Sequence, residues 1–327
     1  MTATVNTVRG SVAAEGLGKT LMHEHFIFGY PGYQGDSTLG PFDREGTLSN
    51  LEALVGRIKS HGVQTVVDAT PNECGRDPEF LRELAERTDL NIICSTGFYY
   101  EGEGAPAYFK FRANLVDIVA EIYEMFMAEL TVGIGKTGIK AGVIKLASSK
   151  EAITPYERAF FLAGARAQRE TGAPIITHTQ EGALGPEQAE LLMAEGADPA
   201  RIMIGHMDAN TDPEYHLRTL AHGVSIGFDR CGVQGILGMP FDHERVRVLT
   251  TLLQNNYARQ IMLSQDTVMH WLGRPLAVPE MVQQIMADWH PTNIFENIIP
   301  ALERNGSSAA DIQTMVIDNP RRLFGGK

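Results

Sequence analysis

Eight short apolar runs, most of them separated by stretches of helical period, constrain this chain more than any other feature. The runs are Thr20–His25, Gln64–Ala69, Asn91–Gly97, Gly142–Ala147, Pro174–Thr179, Ile202–Met207, Val224–Asp229 and Ile261–Asp266. Their length and β-branched content read as strands. Between them, Leu48–Ser60, Glu79–Arg87, Leu115–Ala128, Tyr156–Glu170, Gln188–Glu195, Pro213–Ala221 and Asp242–Gln254 read as helices. Apolar residues recur there at three and four, as at Leu115, Ile118, Val119 and Ile122. Strands alternating with helices imply a parallel sheet, because parallel neighbours need a crossover that a helix supplies. Eight such units point to an α/β fold of the (β/α)8 TIM-barrel type, with residues 1–327 as a single domain. No GxGxxG follows the first run, so a dinucleotide-binding sheet has no support. The tail Asn293–Leu323 reads as helical and is expected to pack on the outside of the barrel.

Three long segments, Phe26–Thr47, Arg230–Pro240 and Thr267–His290, leave the C-terminal ends of strands. Barrel enzymes build their active sites on that face, so these segments are the natural walls of a substrate pocket.

Six residues at strand ends carry the chemistry. His23 and His25 are two apart, which on a strand puts both side chains on one face. Lys145 lies in AGVIKLASS, His178 in PIITHTQ, His206 in IMIGHMD and Asp266 in IMLSQD. Barrel closure would bring all six to one mouth. Any one alone has a plainer reading, such as a hydrogen-bonded histidine at a strand end. Together they read as a metal-ligand set. Imidazole and carboxylate suit zinc, and cobalt, manganese or iron also accept them, while a barrel mouth leaves positions open for water and substrate. Two divalent ions about 3.5–4 Å apart can share and activate a hydroxide at neutral pH. A lysine in an apolar strand is costly unless partnered or neutral, and as an ammonium it would repel cations. Deprotonated and combined with carbon dioxide it becomes a carbamate, an anion able to bridge two metals.

Bulk properties exclude other classes. The net charge of −12 argues against a nucleic-acid partner, which needs a basic face. Three cysteines without CxxC spacing argue for reduced thiols and a cytoplasmic location. No run is long enough to span a membrane, and the N-terminal residues show no apolar signal region.

The motifs GKTLMHEHF, AGVIKLASS, ITHTQEG, IGHMDAN and LSQD, in that order from Gly18 to the closing DNPRRLF, resemble those of the phosphotriesterase family of the amidohydrolase superfamily. The resemblance implies a binuclear metal centre. His23, His25 and Asp266 would hold the more buried ion, His178 and His206 the more exposed one, and carboxylated Lys145 with a hydroxide would bridge them. Asp266 would also take the proton released on attack. Within the family, Tyr99 in STGFYY and the turn Asp229-Arg230-Cys231-Gly232 look like the phosphotriesterase-like lactonases. This implies a lactonase acting on N-acyl homoserine lactones or simple γ- and δ-lactones, with phosphotriesterase activity as a side reaction. Tyr99 would hydrogen-bond the ring or leaving oxygen, and Arg230 would orient a polar substrate group or brace its loop. A phosphotriesterase, carboxylesterase or amidase on the same metals stays open, as does, more remotely, an inactive metal-binding barrel. The family resemblance also implies a homodimer.

The remaining expectations are plainer. His61, His216, His222 and His243 should lie at the surface. His270, Trp271 and His290 belong to the last loop and are candidates to touch substrate, and Cys231 is a candidate pocket residue. Glu24, between two inward histidines, should face outward and need a polar partner.

Overall fold

The computed structural model describes residues 3–236 and 238–326. Eight parallel strands lie in sequence order: β1 (Lys19–Glu24), β2 (Val63–Asp68), β3 (Asn91–Gly97), β4 (Val143–Ser148), β5 (Ile175–Thr179), β6 (Ile202–Ile204), β7 (Ser225–Phe228) and β8 (Ile261–Leu263). The principal crossover helices are α1 (Arg44–Ser60), α2 (Pro78–Thr88), α3 (Ala107–Arg112), α4 (Ile118–Thr131), α5 (Pro155–Thr171), α6 (Gly185–Ala194), α7 (Pro213–Leu220) and α8 (Asp242–Gln254). This is a (β/α)8 barrel. Its seam closes just beyond β8, where Asp266 N donates to His23 O at 3.0 Å and His25 N to Thr267 O at 3.0 Å.

Side chains sort by strand parity. Those pointing outward, such as Val66, Ile92, Ile144, Leu146, Ile175, Ile204, Ile226 and Leu263, join the helices in one apolar sheath. Those pointing inward at the N-terminal end, Met22, Val67, Ile93, Val143, Ile176, Met203 and Met262, form an apolar floor. Two residues further along β4 and β5 the same inward face carries Lys145 and His178. A register shift against β2 between Leu21 and Glu24 lets β1 supply Met22 to the floor and the very next residue, His23, to the mouth.

Several local expectations need correction. The chain opens with an antiparallel hairpin, Thr4–Thr7 with Gly10–Ala13. Its four-residue strands, TVNT and GSVA, carry no apolar run to announce them. The helix expected from Leu115 begins at Ile118, because the Asp117 carboxylate caps it by accepting from Val119 N at 3.0 Å. Leu115 is left outside, 68% exposed. The segment before it forms the separate short helix α3. The tail packs outside the barrel through Ile294, Ile298, Leu302, Met315 and Val316, but its end turns under it. There Leu323 and Phe324 join the floor, and the Asn319 amide donates to Ala258 O and Ile261 O at 2.7 and 2.6 Å.

Candidate metal centre at the barrel mouth

Strands β6 and β8 end three residues earlier than the apolar pattern suggests, and this decides where two side chains point. His206 and Asp266 lie beyond the strands with φ of 58° and 52°. Such left-handed backbone is rare for non-glycine residues and tends to mark functional positions. Here it swings both side chains into the mouth.

All six candidate ligands line one cavity of about 970 Å³. Asp266 is its hub. Its Oδ1 lies 2.9 Å from His25 Nε2 and 3.6 Å from His23 Nε2, and its Oδ2 lies 3.7 Å from His206 Nε2. His23, His206 and Asp266 place ligand atoms within 4.8 Å of one another, a spacing that a cation could occupy. The His178 ring packs edge-on against that of His206, centroids 4.6 Å apart. Lys145 is 2% exposed and its Nζ sits 2.7 Å from His23 Nε2, with no salt bridge to it among the described residues. Four imidazoles and a carboxylate converge here beside a buried lysine whose charged form burial disfavours, a set of nitrogen and oxygen donors. The donor set therefore fits divalent cations.

The electrostatics agree. Burial, with help from nearby cations Arg230 and Lys145, holds His178 well below the usual imidazole range. Burial does the same for His206, which favours the neutral, coordinating form of both rings. Burial lowers Lys145 to about 8, against the pull of Asp266 and Asp229. Burial would raise Asp266, but His206, Arg230 and His23 outweigh it and hold its carboxylate well below the ordinary range.

A second ring of groups orients the first. Asp229, noticed in the sequence only as part of a turn, has Oδ2 at 2.9 Å from His23 Nδ1. Its Oδ1 lies 3.0 Å from His206 Nδ1 and accepts His206 N at 2.6 Å. Thr70 Oγ1 meets His25 Nδ1 at 2.8 Å, and Gln180 Oε1 meets His178 Nε2 at 2.8 Å. Partners of this kind set the tautomer and angle of a coordinating histidine. Asp229 had one sequence signal, its place at a predicted strand end like the ligands. Thr70 and Gln180 had none. Glu24 finds its polar partners across the barrel seam: Ser264 Oγ, Gln265 N and Gln265 Nε2 donate to Oε1, and Thr267 N donates to Oε2 at 2.9 Å. Close strand approach needs glycine at two points. A Cβ on Gly97 would fall 1.8 Å from Lys145 O, and one on Gly205 would fall 2.1 Å from Thr177 O.

Of the other sequence candidates, Arg230 Nε donates to Asp266 Oδ2 at 2.9 Å, and Tyr99 packs edge-on against His178 at 4.9 Å. Both line the cavity. Trp271 lines it too and stacks on Tyr30 at 6.2 Å. His270 instead lines a neighbouring cavity with Phe42, and His290 sits by Thr292 Oγ1 at 3.0 Å, outside the mouth. Cys231 turns into the core, its Sγ toward Phe228 O at 3.9 Å, so it does not line the pocket. His216 is buried, not at the surface. Its ring nitrogens lie 2.8 and 2.9 Å from Asp212 O and Met207 O, and Phe228 stacks on it.

Comparison with known proteins agrees with this architecture. The sequence profile of the phosphotriesterase family matches residues 3–324. The solved structure of an organophosphorus hydrolase from Deinococcus radiodurans superposes with a TM-score of 0.97 at 60% identity, covering 99% of each chain. A mutant of a Deinococcus radiodurans PTE-like lactonase gives 0.97 at 60% identity, over 98% of this chain and 100% of the other. An aryldialkylphosphatase of Saccharolobus solfataricus is 33% identical over 97% of this chain and 98% of its own length.

Proposed function

The chain belongs to the phosphotriesterase family of hydrolases, and from that premise we propose that it opens lactones, N-acyl homoserine lactones or γ- and δ-lactones, at the barrel mouth. The observation that carries this reading is the mixed lining of the cavity. It combines the polar cluster, Tyr99 and Arg230 with the apolar side chains of Val233, Ile236, Met239, Leu276, Val278, Val282 and Met286. A compact polar ring with an apolar tail matches such a lining, since pockets combine an apolar lining with a few placed polar groups. The Deinococcus radiodurans protein named a PTE-like lactonase supports it.

In this reading His23, His25, Lys145, His178, His206 and Asp266 hold two divalent ions, zinc first and cobalt, manganese or iron as alternatives, with Lys145 carboxylated. The ions would supply Lewis acidity and a water acidified to near neutral pH. Asp266, kept ionised by His206, Arg230 and His23, accepts the proton that the attacking water sheds. Arg230 holds Oδ2 of that carboxylate in place. Burial keeps Tyr99 a phenol, so it donates to the ring oxygen as that oxygen leaves. The whole chain works as one domain. A cytoplasmic location accords with three buried free cysteines, among described residues that include no helix long and apolar enough to cross a membrane. A homodimer follows from the family resemblance. Slower phosphotriester hydrolysis is a second activity of the same centre, favoured by the organophosphorus hydrolase and aryldialkylphosphatase among its relatives.

The test is a pH-indicator assay on zinc- or cobalt-reconstituted protein with acyl-homoserine lactones, simple lactones, an aryl ester and a dialkyl aryl phosphate. Lactones should lead in kcat/KM by about tenfold or more, ~1.4 kcal/mol of transition-state preference. A lead by the phosphate or the ester would overturn the substrate assignment and leave the centre standing.

A further inference from the structure

We infer that Arg245 on α8 is a positioning residue for the metal centre, acting through the turn Asp229–Val233. Its guanidinium is wholly buried on a helix stripe that otherwise presents Val248, Leu249 and Leu252. Nη1 donates to Asp242 Oδ1 at 2.7 Å and Nη2 to Val233 O at 2.6 Å. Nε lies 2.8 Å from Asp208 Oδ2 without aiming its N–H at it. Both carboxylates in turn hold the same stretch of backbone. Asp208 accepts Asp229 N and Arg230 N at 3.4 and 3.2 Å, and Asp242 Oδ1 accepts Gly232 N at 3.0 Å. One arginine and the two anions beside it thus fix the main chain of residues 229, 230, 232 and 233.

From that turn two side chains reach the centre. Asp229 contacts His23 and His206, and Arg230 contacts Asp266. Half of the six candidate ligands therefore take their orientation from a stretch that Arg245 braces. A buried ion pair is a weak device for stability alone, since apolar residues of like volume often serve as well or better. What the planar fork adds is direction, because its donors leave at fixed angles that a lysine cannot reproduce.

This inference rests on the metal-site reading above, and the experiment separates the two. Zinc affinity of the apo protein is measured by chelator competition for wild type, R245K and the double variant R245M/D208N, together with melting temperature, kcat and KM. The double variant also removes the buried charge of Asp208, which R245M alone would leave without the guanidinium beside it. If wild type fails to bind zinc, the metal-site reading falls. If wild type binds, both variants should fold and lose about tenfold in zinc affinity, the lower end of the range for groups outside the coordination sphere. Their kcat should fall with KM unchanged. A lower melting temperature with zinc affinity and kcat within twofold of wild type would show a purely structural arginine and overturn the inference. Should the double variant not fold, R245K, which keeps the charge, decides by the same two readouts.

Discussion

The floor and the mouth of the barrel are built on the same strands, one to four residues apart, and are held together by different physics. On the floor, Val143, Ile176, Met203 and Met262 share one apolar cluster with the tail residues Leu323 and Phe324. Burial there is non-directional, so stability follows the apolar area removed from water, not the angle of any one group. At the mouth, Lys145, His178, His206 and Asp229 are as fully buried, yet each is tied to its neighbours at fixed distances. A buried polar group without a partner costs more than a typical hydrogen bond contributes, so the mouth tolerates little change. Swapping chemistry between the layers should therefore damage stability at one level and function at the other.

The strongest test is Lys145→Ala. It should abolish binding of the metal pair and lower lactone hydrolysis by more than about a hundredfold, beyond what the loss of an outer partner gives. Added bicarbonate should not rescue it. Metal analysis of the purified variant beside the rate decides, and full metal content with full rate would remove Lys145 from the centre. On the floor, Met203→Ala should cost about 2–5 kcal/mol of stability in urea titrations, the range for methionine truncation in a core. Its kcat at 25 °C should be unchanged, and a tenfold fall would erase the distinction between layers.

Glu73 tests the rim behind Tyr99. It accepts Tyr99 N at 2.7 Å through Oε1, while Oε2 is buried and without a hydrogen-bond partner. Burial raises its carboxyl to about 7, so the folded state holds a proton there that the unfolded chain releases near 4.3, roughly the unperturbed value. Its raised value favours folding at low pH, and that advantage is lost as pH rises through 7. Glu73→Gln should thus be more stable than wild type by about 3–4 kcal/mol at pH 8 and equal to it near pH 4. Equal stability at both would show a solvated carboxylate. The smallest effect is expected for Tyr99→Phe, about tenfold in kcat/KM for lactones, ~1.4 kcal/mol, with metal content intact. Unchanged lactone kinetics would leave Tyr99 as packing.

The barrel was legible because its signal is repetitive: eight apolar runs, alternation with helices, and a titratable residue at matching strand ends. The candidate ligands were legible because each of their types is unusual in an apolar run. Thr70 and Gln180 were not, since a threonine or glutamine near a strand end is ordinary until a ring nitrogen is 2.8 Å away. Arg245 carried a faint mark, a charge on an apolar helix stripe, and His216 gave none of its burial. The N-terminal hairpin escaped for a related reason: it is held by the barrel it lies against, Val5 joining the floor and the turn residue Val8 donating its N–H to Ile92 O at 2.9 Å, and its short strands carry no run of their own.

Alone, the sequence determined the order of strands and helices, the parity that separates sheath from lumen, and which side chains could bind a cation. These follow from the two-residue and 3.6-residue periods, which are local. Only the tertiary structure decided that β6 and β8 stop short so that His206 and Asp266 turn inward, that Glu24 joins the first strand to the last, and that Asp229 serves two histidines from different strands. Those outcomes depend on which distant backbone groups meet when the barrel closes, and no local period encodes such a meeting.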